Sequence, residues 1–545
     1  MTAEQTHRKD GREWWWFLAI AVIMLGAAWL RWHLLAVPLE RDEGEYAYGG
    51  QLLLQGVPPY QLLYSMKLPG IYAAYALVLA LFGQDQTGVH LGLLAVNLMT
   101  IALVALLARR VAGPWAGIGA GAVFAVLSMG QPVQGVFANA EHFVLLPALA
   151  GLLTLMLAVD GKRPWLILLS GVLLGLGVLV KQHGVLFVIF GVLYLFRERW
   201  LVRGRLEAGL RQGMLLVGAA LLPYLCTSLL LLKAGVFPQF WFWTVEYARA
   251  YATQLSWAAA WSNLSDRAET IVAASPLLWL AVAVGCILAL VSARQRQHRF
   301  FIVGLACASL LAVCPGLFFR PHYFILLLPA AALLAGIGLA SLGEWIVGRQ
   351  RPWQAAGMTV LLIALGLGQA LYQQRQFLFV SSPAQASSDT YWPNPFNESP
   401  AIARFLREHS RPTDTIAIIG SEPQIFFYSG RRSATGYIYM YPLMEGHEFA
   451  LTMQQRLIAE VEKAAPEYLI FVRNPLSWLQ RPTSHTLIYE WFTHYVEGYQ
   501  QVGLIEIFDK STTYTWFSEV RRQPATQYWI EVLRKKGGSG TVKGG

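Results

Sequence analysis

Long apolar segments recur along the first two-thirds of the chain, separated by short polar loops. Eleven of them are long enough to cross a hydrocarbon layer of about 30 Å, and they lie at 14–37, 88–108, 113–132, 142–159, 164–180, 183–197, 213–233, 270–292, 299–317, 322–346 and 353–374. A further apolar segment, 68–82, is short enough to be typical of an interfacial or re-entrant helix. This pattern predicts a polytopic α-helical membrane protein with eleven spans.

The composition favours the same class. Hydrophobic residues make up 55% of the chain and charged residues 14%, whereas soluble domains carry about 25% charged residues. The net charge of +10 comes from Lys and Arg in short loops, where they set orientation and meet anionic headgroups, so we expect no nucleic-acid binding. The cysteines lie in or beside apolar segments, as small hydrophobic residues do, and predict no disulfide framework.

The basic loops decide the orientation. If 68–82 does not cross, the basic loops at 109–110, 162–163, 197–211, 294–299 and 349–351 share the cytoplasmic side with the basic N-terminus. We therefore expect a multi-pass protein of the plasma membrane (the inner membrane of a bacterium), with a cytoplasmic N-terminus. Residues 1–374 form the predicted transmembrane domain, and its loop 38–87 lies outside the cell.

A second domain is predicted after the last span. Pro and Ser clusters indicate a linker at 375–400, and helical segments then alternate with apolar strands at 415–420, 468–472 and 502–508. This alternation predicts an extracytoplasmic α/β domain with a partly parallel sheet over 401–534. Residues 535–545 have the composition of a flexible tail.

The first external loop concentrates ionisable residues beside a membrane helix. It contains Glu40-Arg41-Asp42-Glu43-Gly44-Glu45-Tyr46 and, about 25 residues later, Lys67-Leu68-Pro69-Gly70. Charge beside a low-dielectric layer is costly, so this cluster indicates a functional site. The alternative is structural: Asp42 would cap an amphipathic helix, Glu43 and Glu45 would interact with its dipole, and Lys67 would snorkel to the interface.

This loop resembles that of the GT-C fold glycosyltransferases, in particular the branch of the protein O-mannosyltransferases and lipid A aminoarabinose transferases (families 39 and 83). Those families typically show an Asp-Glu pair and a Lys-Pro-Pro in this loop, whereas this chain has Leu68 in place of the first proline. Further segments that carry the resemblance are 137–143, 319–324 and 418–424. The resemblance covers most of the chain and implies a GT-C fold of about eleven transmembrane helices with interfacial helices.

The resemblance also implies a function. A sugar would pass from a polyprenyl-phosphate donor to a hydroxyl of an extracytoplasmic glycan, lipid or protein, with inversion at the anomeric carbon. Asp42 would match the general base and Lys67 the phosphate-binding cation, with Glu43 and Glu141 as further catalytic acids and Arg320 as a second phosphate ligand. The residues expected to line the cavity or to contact the acceptor are Tyr46, Tyr60, His142, Lys181, Glu246 and His322.

Structural interpretations of these residues remain open. Glu141 is equally typical of a charge at a helix start, Lys181 of a solvated turn, and the loop around Glu246 of an aromatic belt. We expect a monomer that requires no cofactor. Glu141 and His142 with His33 would be the ligands of a divalent cation, but their spacing is not a metal signature, so no metal site is predicted.

The competing function class is a transporter or flippase of lipid-linked glycans, which would also place charged residues in a membrane cavity. Such proteins usually show internal repeats and broken helices near the midplane. This sequence shows no repeat, and its ionisable residues are predicted at one face of the membrane, which favours the transferase.

Overall fold

The computed structural model describes residues 14–161, 163–252, 255–509, 511–517 and 522–537. The basic N-terminal cluster and residues 538–545 of the predicted tail lie outside these ranges. The chain forms two compact units. The membrane unit comprises 1–35, 90–229 and 255–381, and the loop–sheet unit comprises 36–89, 230–254 and 382–545.

Helices account for most of the described chain. Up to residue 373 they are α1 (Trp14–Trp32), α2 (Arg41–Leu54), α3 (Pro69–Phe82), α4 (Gln86–Ala112), α5 (Pro114–Leu127), α6 (Ala140–Gly161), α7 (Trp165–Val180), α8 (Val185–Phe196), α9 (Leu206–Lys233), α10 (Phe237–Trp241), α11 (Ala248–Ala252), α12 (Trp257–Ala273), α13 (Pro276–Val291), α14 (Arg299–Val313), α15 (Leu328–Val347) and α16 (Pro352–Gln373). A π-helical turn, Phe242–Tyr247, joins α10 to α11.

Each of the eleven predicted spans overlaps at least one of these helices, so the polytopic class is confirmed. Within the described residues, six helices are long and apolar enough to cross a membrane, and α12 and α13 qualify together as a pair bent by 107°. The break falls where Pro276 starts α13, because proline lacks the N–H that would continue α12. Residues 270–273 of the predicted span therefore belong to α12. The count of eleven stays a prediction.

Helix α3 corresponds to the short apolar segment that decided the orientation. Its 14 residues extend about 21 Å at 1.5 Å per residue, less than the roughly 30 Å of a hydrocarbon core. Glycines of α2 allow α2 and α3 to approach each other closely. A Cβ at Gly49 would lie 2.4 Å from the Tyr72 ring, and one at Gly50 would lie 2.8 Å from the backbone nitrogen of Ala76.

The C-terminal part of the loop–sheet unit combines helices with one sheet. The helices are α17 (Pro383–Tyr391), α18 (Ser399–His409), α19 (Pro423–Ser429), α20 (Tyr441–Met444), α21 (Ala450–Ala464), α22 (Pro475–Trp478) and α23 (Leu487–Tyr495). The strands are β1 (Thr415–Ile419), β2 (Arg432–Ser433), β3 (Tyr468–Arg473), β4 (Tyr499–Ile507), β5 (Thr512–Trp516) and β6 (Trp529–Lys535). Part of the predicted linker is itself helical, as α17.

The sheet has the order β2-β1-β3-β6-β4-β5. Strand β1 pairs in parallel with β2 and β3, whereas β6 pairs antiparallel with β3 and β4, and β4 antiparallel with β5. The predicted partly parallel sheet is thus confirmed, and three of its strands match the predicted ones. The sequence interpretation missed β2, β5 and β6. Strand β6 ends at Lys535, the first residue of the predicted tail, and buries Ile530, Val532 and Leu533.

Candidate active site

The first turn of α2 is held by a capping box. Glu40 is the N-cap residue, and its carboxylate accepts hydrogen bonds from the backbone N–H groups of Asp42 (3.0 Å) and Glu43 (3.1 Å). The fully buried Glu43 accepts in return from the N–H of Glu40 at 3.0 Å. Burial, with the Asp42 and Glu43 carboxylates nearby, raises the pKa of Glu40 well above its usual value. The alternative in which Asp42 is the cap is therefore wrong.

Asp42 instead forms an ion pair with Lys67. Lys67 Nζ lies 3.2 Å from Asp42 Oδ1, and the two side chains are 19% and 22% exposed. Lys67 Nζ also donates to the Tyr46 hydroxyl at 3.0 Å. Tyr60, whose φ of 69° is in the left-handed region, donates from its hydroxyl to the carbonyl of Lys67 at 2.7 Å. The structure thus brings together four predicted site residues on two stretches of one loop.

The backbone after Lys67 accommodates the departure from Lys-Pro-Pro. Leu68 is the N-cap residue of α3, with φ −75° and ψ 149°, and Pro69 occupies the first helical turn. These dihedrals are those of a polyproline II residue, which a proline at this position would also adopt. Leu68 therefore preserves the local backbone that carries Lys67.

The C-terminal part of the loop–sheet unit contributes three contacting residues that the sequence interpretation missed: Tyr439, Glu422 and Asn394. The Tyr439 hydroxyl lies 3.1 Å from Asp42 Oδ1 and 3.0 Å from the carbonyl of Arg41. Arg41 Nη2 lies 2.7 Å from Glu422 Oε1 and donates to Asn394 Oδ1 at 2.9 Å. These partners are separated from α2 by more than 350 residues, so no local pattern could indicate them.

Glu45 is a further carboxyl that the predicted site omitted. It is fully buried and accepts a hydrogen bond from the Tyr72 hydroxyl at 2.6 Å. Burial raises its pKa above the usual value, although the charge of Lys67 opposes the shift. The sequence signal was present, because Glu45 lies four residues after the start of α2, on the side of the helix that carries Asp42 and Tyr46 into the protein.

The membrane unit contains a separate polar cluster built around Glu141. This residue starts α6, is fully buried, and forms an ion pair with Lys181. Lys181 follows the end of α7 in extended backbone, and its Nζ lies 4.3 Å from the centre of the Tyr323 ring. Because Lys181 is only 7% exposed, the interpretation as a solvated turn residue is wrong.

Histidines surround this ion pair. His183 Nδ1 lies 2.7 Å from the carbonyl of Ala312, and His322 Nδ1 lies 3.1 Å from Gln134 Oε1. His142 is buried. Glu141 Oε2, His142 Nε2 and the Asn139 amide are among the buried groups of the described chain that have no protein hydrogen bond. Such groups usually complete their bonding with a ligand or with water. Their place in a cavity stays a prediction.

The remaining predicted residues lie outside both clusters. The half-buried Arg320 has its guanidinium 5.7 Å from the centre of the Phe318 ring. Glu246 is exposed on the π-helical turn, whereas its neighbour Tyr247 is buried and donates to Glu445 Oε2 at 2.7 Å. His33 is exposed. In the described ranges, no three His, Cys, Asp or Glu side chains are grouped to hold a metal ion.

Comparison with known proteins supports the fold. The profile of the family described as dolichyl-phosphate-mannose-protein mannosyltransferase matches residues 67–231. The structure of ArnT from Cupriavidus metallidurans bound to undecaprenyl phosphate is similar with a TM-score of 0.58 and 16% identity, over 97% of this chain and 99% of that chain. The structure of archaeal oligosaccharyltransferase AglB from Archaeoglobus fulgidus, in complex with an inhibitory peptide and a dolichol-phosphate, is also similar. Its TM-score is 0.55 and its sequence identity 12%, over 93% of this chain and 75% of that chain.

These similarities define the class of protein. The chain is a multi-pass membrane protein with the GT-C fold. Within that class it resembles the protein O-mannosyltransferases and ArnT, as the sequence of loop 38–87 had indicated. No curated protein sequence matches the chain significantly.

The Glu141 and Lys181 side chains generate a stability prediction. Glu141→Gln or Lys181→Met alone should lower the free energy of unfolding by about 3–5 kcal/mol, because each leaves an uncompensated buried charge. The double variant should lose less than either single variant. Thermal unfolding of the detergent-purified protein, followed by tryptophan fluorescence, compares the stability of the three variants with that of wild type. Losses that simply add would contradict a direct pairing.

The buried Glu45 generates a pH prediction. Its pKa is raised in the folded protein, so the stability it contributes is complete below the ordinary glutamate pKa and is lost as the pH rises through the folded value. Glu45→Gln mimics the protonated carboxyl and can still accept from Tyr72. The Tm of the variant minus that of wild type should therefore increase between pH 4.5 and pH 8. A difference that stays constant or decreases would contradict this assignment.

Proposed function

We propose that this protein is an integral membrane glycosyltransferase that transfers a sugar from a polyprenyl-phosphate donor to an acceptor hydroxyl, with inversion. The observation that carries the proposal is the Asp42–Lys67 ion pair at the start of α2, in a chain with the GT-C fold. Polyprenyl phosphates are bound in both similar structures, as undecaprenyl phosphate in ArnT and as dolichol-phosphate in AglB. That shared ligand supports a lipid-linked donor here.

Asp42 and Lys67 supply the two groups that this transfer needs. A general base must reach the acceptor hydroxyl, and a cation must stabilise the charge that develops on the leaving phosphate. Both side chains are about one-fifth exposed, so substrate can reach them. The hydrogen bond from Lys67 Nζ to the Tyr46 hydroxyl positions the ammonium before the donor binds, and the Tyr60 hydroxyl holds the Lys67 backbone carbonyl.

The reaction follows from this arrangement. The donor phosphate attracts Lys67, which releases the Asp42 carboxylate to accept a proton. The acceptor oxygen attacks the anomeric carbon, its proton passes to Asp42, and the bond from that carbon to the phosphate oxygen breaks. The phosphate leaves with the electron pair beside Lys67. Attack and departure on opposite faces give inversion. On the same resemblance, Glu141 is proposed as a further catalytic acid, and Arg320 as a residue that binds the phosphate. His142, Lys181 and His322 are proposed to line a cavity or to contact the acceptor.

We further propose that the site faces outward from the plasma membrane, with the C-terminal domain on the same side and the N-terminus in the cytoplasm. The acceptor is an extracytoplasmic glycan, lipid or protein. The protein acts as a monomer, and neither a cofactor nor a metal is part of the proposed chemistry. The second candidate, a flippase of lipid-linked glycans, would use the same charges for binding without breaking the sugar–phosphate bond.

Substitution of the ion-pair residues tests the catalytic assignment. Asp42→Asn removes the base and should lower kcat by roughly 100- to 10,000-fold. Lys67→Ala removes the cationic stabilisation and should lower it by roughly 100- to 1,000-fold. The measurement is release of polyprenyl phosphate from a panel of polyprenyl-phosphate sugars by the purified protein.

Glu467→Gln is the matched control. Glu467 and Arg534 form an ion pair of the same 3.2 Å length, with 19% and 15% exposure, elsewhere in the loop–sheet unit. This variant should retain wild-type turnover. Full activity of both Asp42→Asn and Lys67→Ala would refute the site. Vesicles in which wild type moves the donor across the bilayer without cleaving it would support the flippase.

Cysteine accessibility tests the orientation. In a variant whose four native cysteines are replaced, Gln84→Cys should react with a membrane-impermeant maleimide applied to the outside of intact cells, because 68–82 is expected not to cross. Arg203→Cys, in the basic loop 197–211, should react only in inside-out vesicles. The opposite pattern at Gln84 would overturn the eleven-span topology.

A further inference from the structure

Ser421, a buried residue of the C-terminal domain, contacts the first turn of α2. Its carbonyl accepts a hydrogen bond from Arg41 Nε, and its hydroxyl accepts one from the backbone N–H of Met440 at 2.8 Å. Ser421 therefore fixes two neighbours of the site at once: the residue before Asp42 and the residue after Tyr439. Both contacts are buried.

Two further contacts make this attachment rigid. Glu422, which is fully buried, pairs with Arg41 at 2.7 Å. Gly44 lies against α19 so closely that a Cβ there would come within 2.5 Å of the backbone nitrogen of Gln424. The segment that carries Tyr439 thus has little freedom to move relative to Asp42. A hydroxyl held in this way can position a carboxylate.

The hydroxyl of Tyr439 has one proton and two acceptors within reach, the carbonyl of Arg41 at 3.0 Å and Asp42 Oδ1 at 3.1 Å. Lys67 Nζ contacts the same Oδ1 at 3.2 Å. While the ion pair is intact, the Tyr439 hydroxyl can donate its hydrogen bond to the Arg41 carbonyl. When Lys67 turns to a phosphate, Oδ1 loses its cationic partner, and a small rotation of the hydroxyl replaces the lost donor.

We propose that Tyr439, supplied by the C-terminal domain, is a positioning residue for Asp42. When the donor phosphate draws Lys67 away, the Tyr439 hydroxyl donates to Asp42 Oδ1 in place of the lysine. This inference rests on the proposed function. The C-terminal domain would then take part in the transfer reaction itself, because Tyr439 keeps the Asp42 carboxylate ionised and oriented while Lys67 binds the phosphate. Burial, with Glu45 and Asp42 nearby, holds the pKa of Tyr439 well above its usual value, so the hydroxyl keeps its proton.

The ionisation of Asp42 is influenced by a defined set of groups. Lys67 and the Tyr439 hydroxyl favour the charged carboxylate, whereas nearby carboxylates oppose it. The titratable groups that face Asp42 include Glu40, Glu43, Glu45, Lys67, Tyr75, Tyr391 and Tyr439. Tyr439→Phe removes the hydroxyl and keeps the aromatic ring. A change in the ionisation of Asp42 in this variant is therefore due to the loss of that hydroxyl.

The test is the pH dependence of carbodiimide labelling of Asp42 in the full-length purified protein, quantified by peptide mass spectrometry. Carbodiimides react with the protonated carboxyl, so the labelling midpoint follows its ionisation without requiring any substrate. Tyr439→Phe removes a donor to the carboxylate and should raise the midpoint by about 0.5–1 pH unit. Tyr468→Phe is the control, because its hydroxyl donates to the His409 carbonyl at 2.9 Å within the same unit, and it should leave the midpoint unchanged.

The replacement of Lys67 by Tyr439 as the donor to Asp42, here called the takeover, is tested in a Lys67→Met background. This variant imitates the state in which Lys67 contacts the phosphate instead of Asp42. Tyr439→Phe should shift the Asp42 midpoint further there than in wild type. An equal or smaller shift would overturn the takeover, and an unchanged midpoint in both backgrounds would overturn the positioning role. Because labelling needs no donor, these results stand apart from the proposed function, which fails if wild type consumes no polyprenyl-phosphate sugar.

Where a donor is consumed, kcat gives a second readout. Tyr439→Phe should lower kcat roughly two- to tenfold, the effect of one hydrogen bond, and move the acidic limb of the rate profile to higher pH. The KM for the donor should change little, because Lys67 still binds the phosphate. A rise in KM with kcat unchanged would instead assign Tyr439 to donor binding and overturn the positioning role.

Discussion

The burial of Arg41 is the constraint on which the rest of the loop–sheet unit depends. A guanidinium this far from water must be paired, because an unpaired buried charge costs several kcal/mol. Glu422 supplies the charge, while Ser421 and Asn394 accept the remaining hydrogen bonds. Satisfying this one side chain therefore brings a strand end of the C-terminal domain against the first turn of α2, and the position of Asp42 follows from that contact.

The membrane unit satisfies the same constraint with different partners. Arg31 is buried and donates to the backbone carbonyls of Ser128 at 2.8 Å and Gly135 at 3.0 Å, while Lys181 pairs with Glu141. In each case the partner comes from another helix or loop rather than from the next turn. These buried ionisable groups thus link segments that are distant in the sequence, and the Asp42–Lys67 pair is more exposed than they are.

Sequence reasoning succeeded where the signal was local. Apolar runs located the membrane helices, and the Asp-Glu and Lys-Leu-Pro motifs located the loop that holds Asp42 and Lys67. It failed where the partner lies hundreds of residues away, as for Tyr439 and Glu422, because pairing at that distance leaves no periodicity to detect. Strand β6 was missed for a related reason. Its place between β3 and β4 is decided by antiparallel partners, not by its own composition.

The long separation between Arg41 and Glu422 also bears on how the protein is made. The two residues are 381 positions apart, and ribosomes add about 5–20 residues per second, so roughly 20–75 s pass between their syntheses. During that interval the loop 38–87 has been synthesised, but the partner of Arg41 has not. The arrangement around Asp42 is therefore complete only after the segment that carries Glu422 has been synthesised and folded.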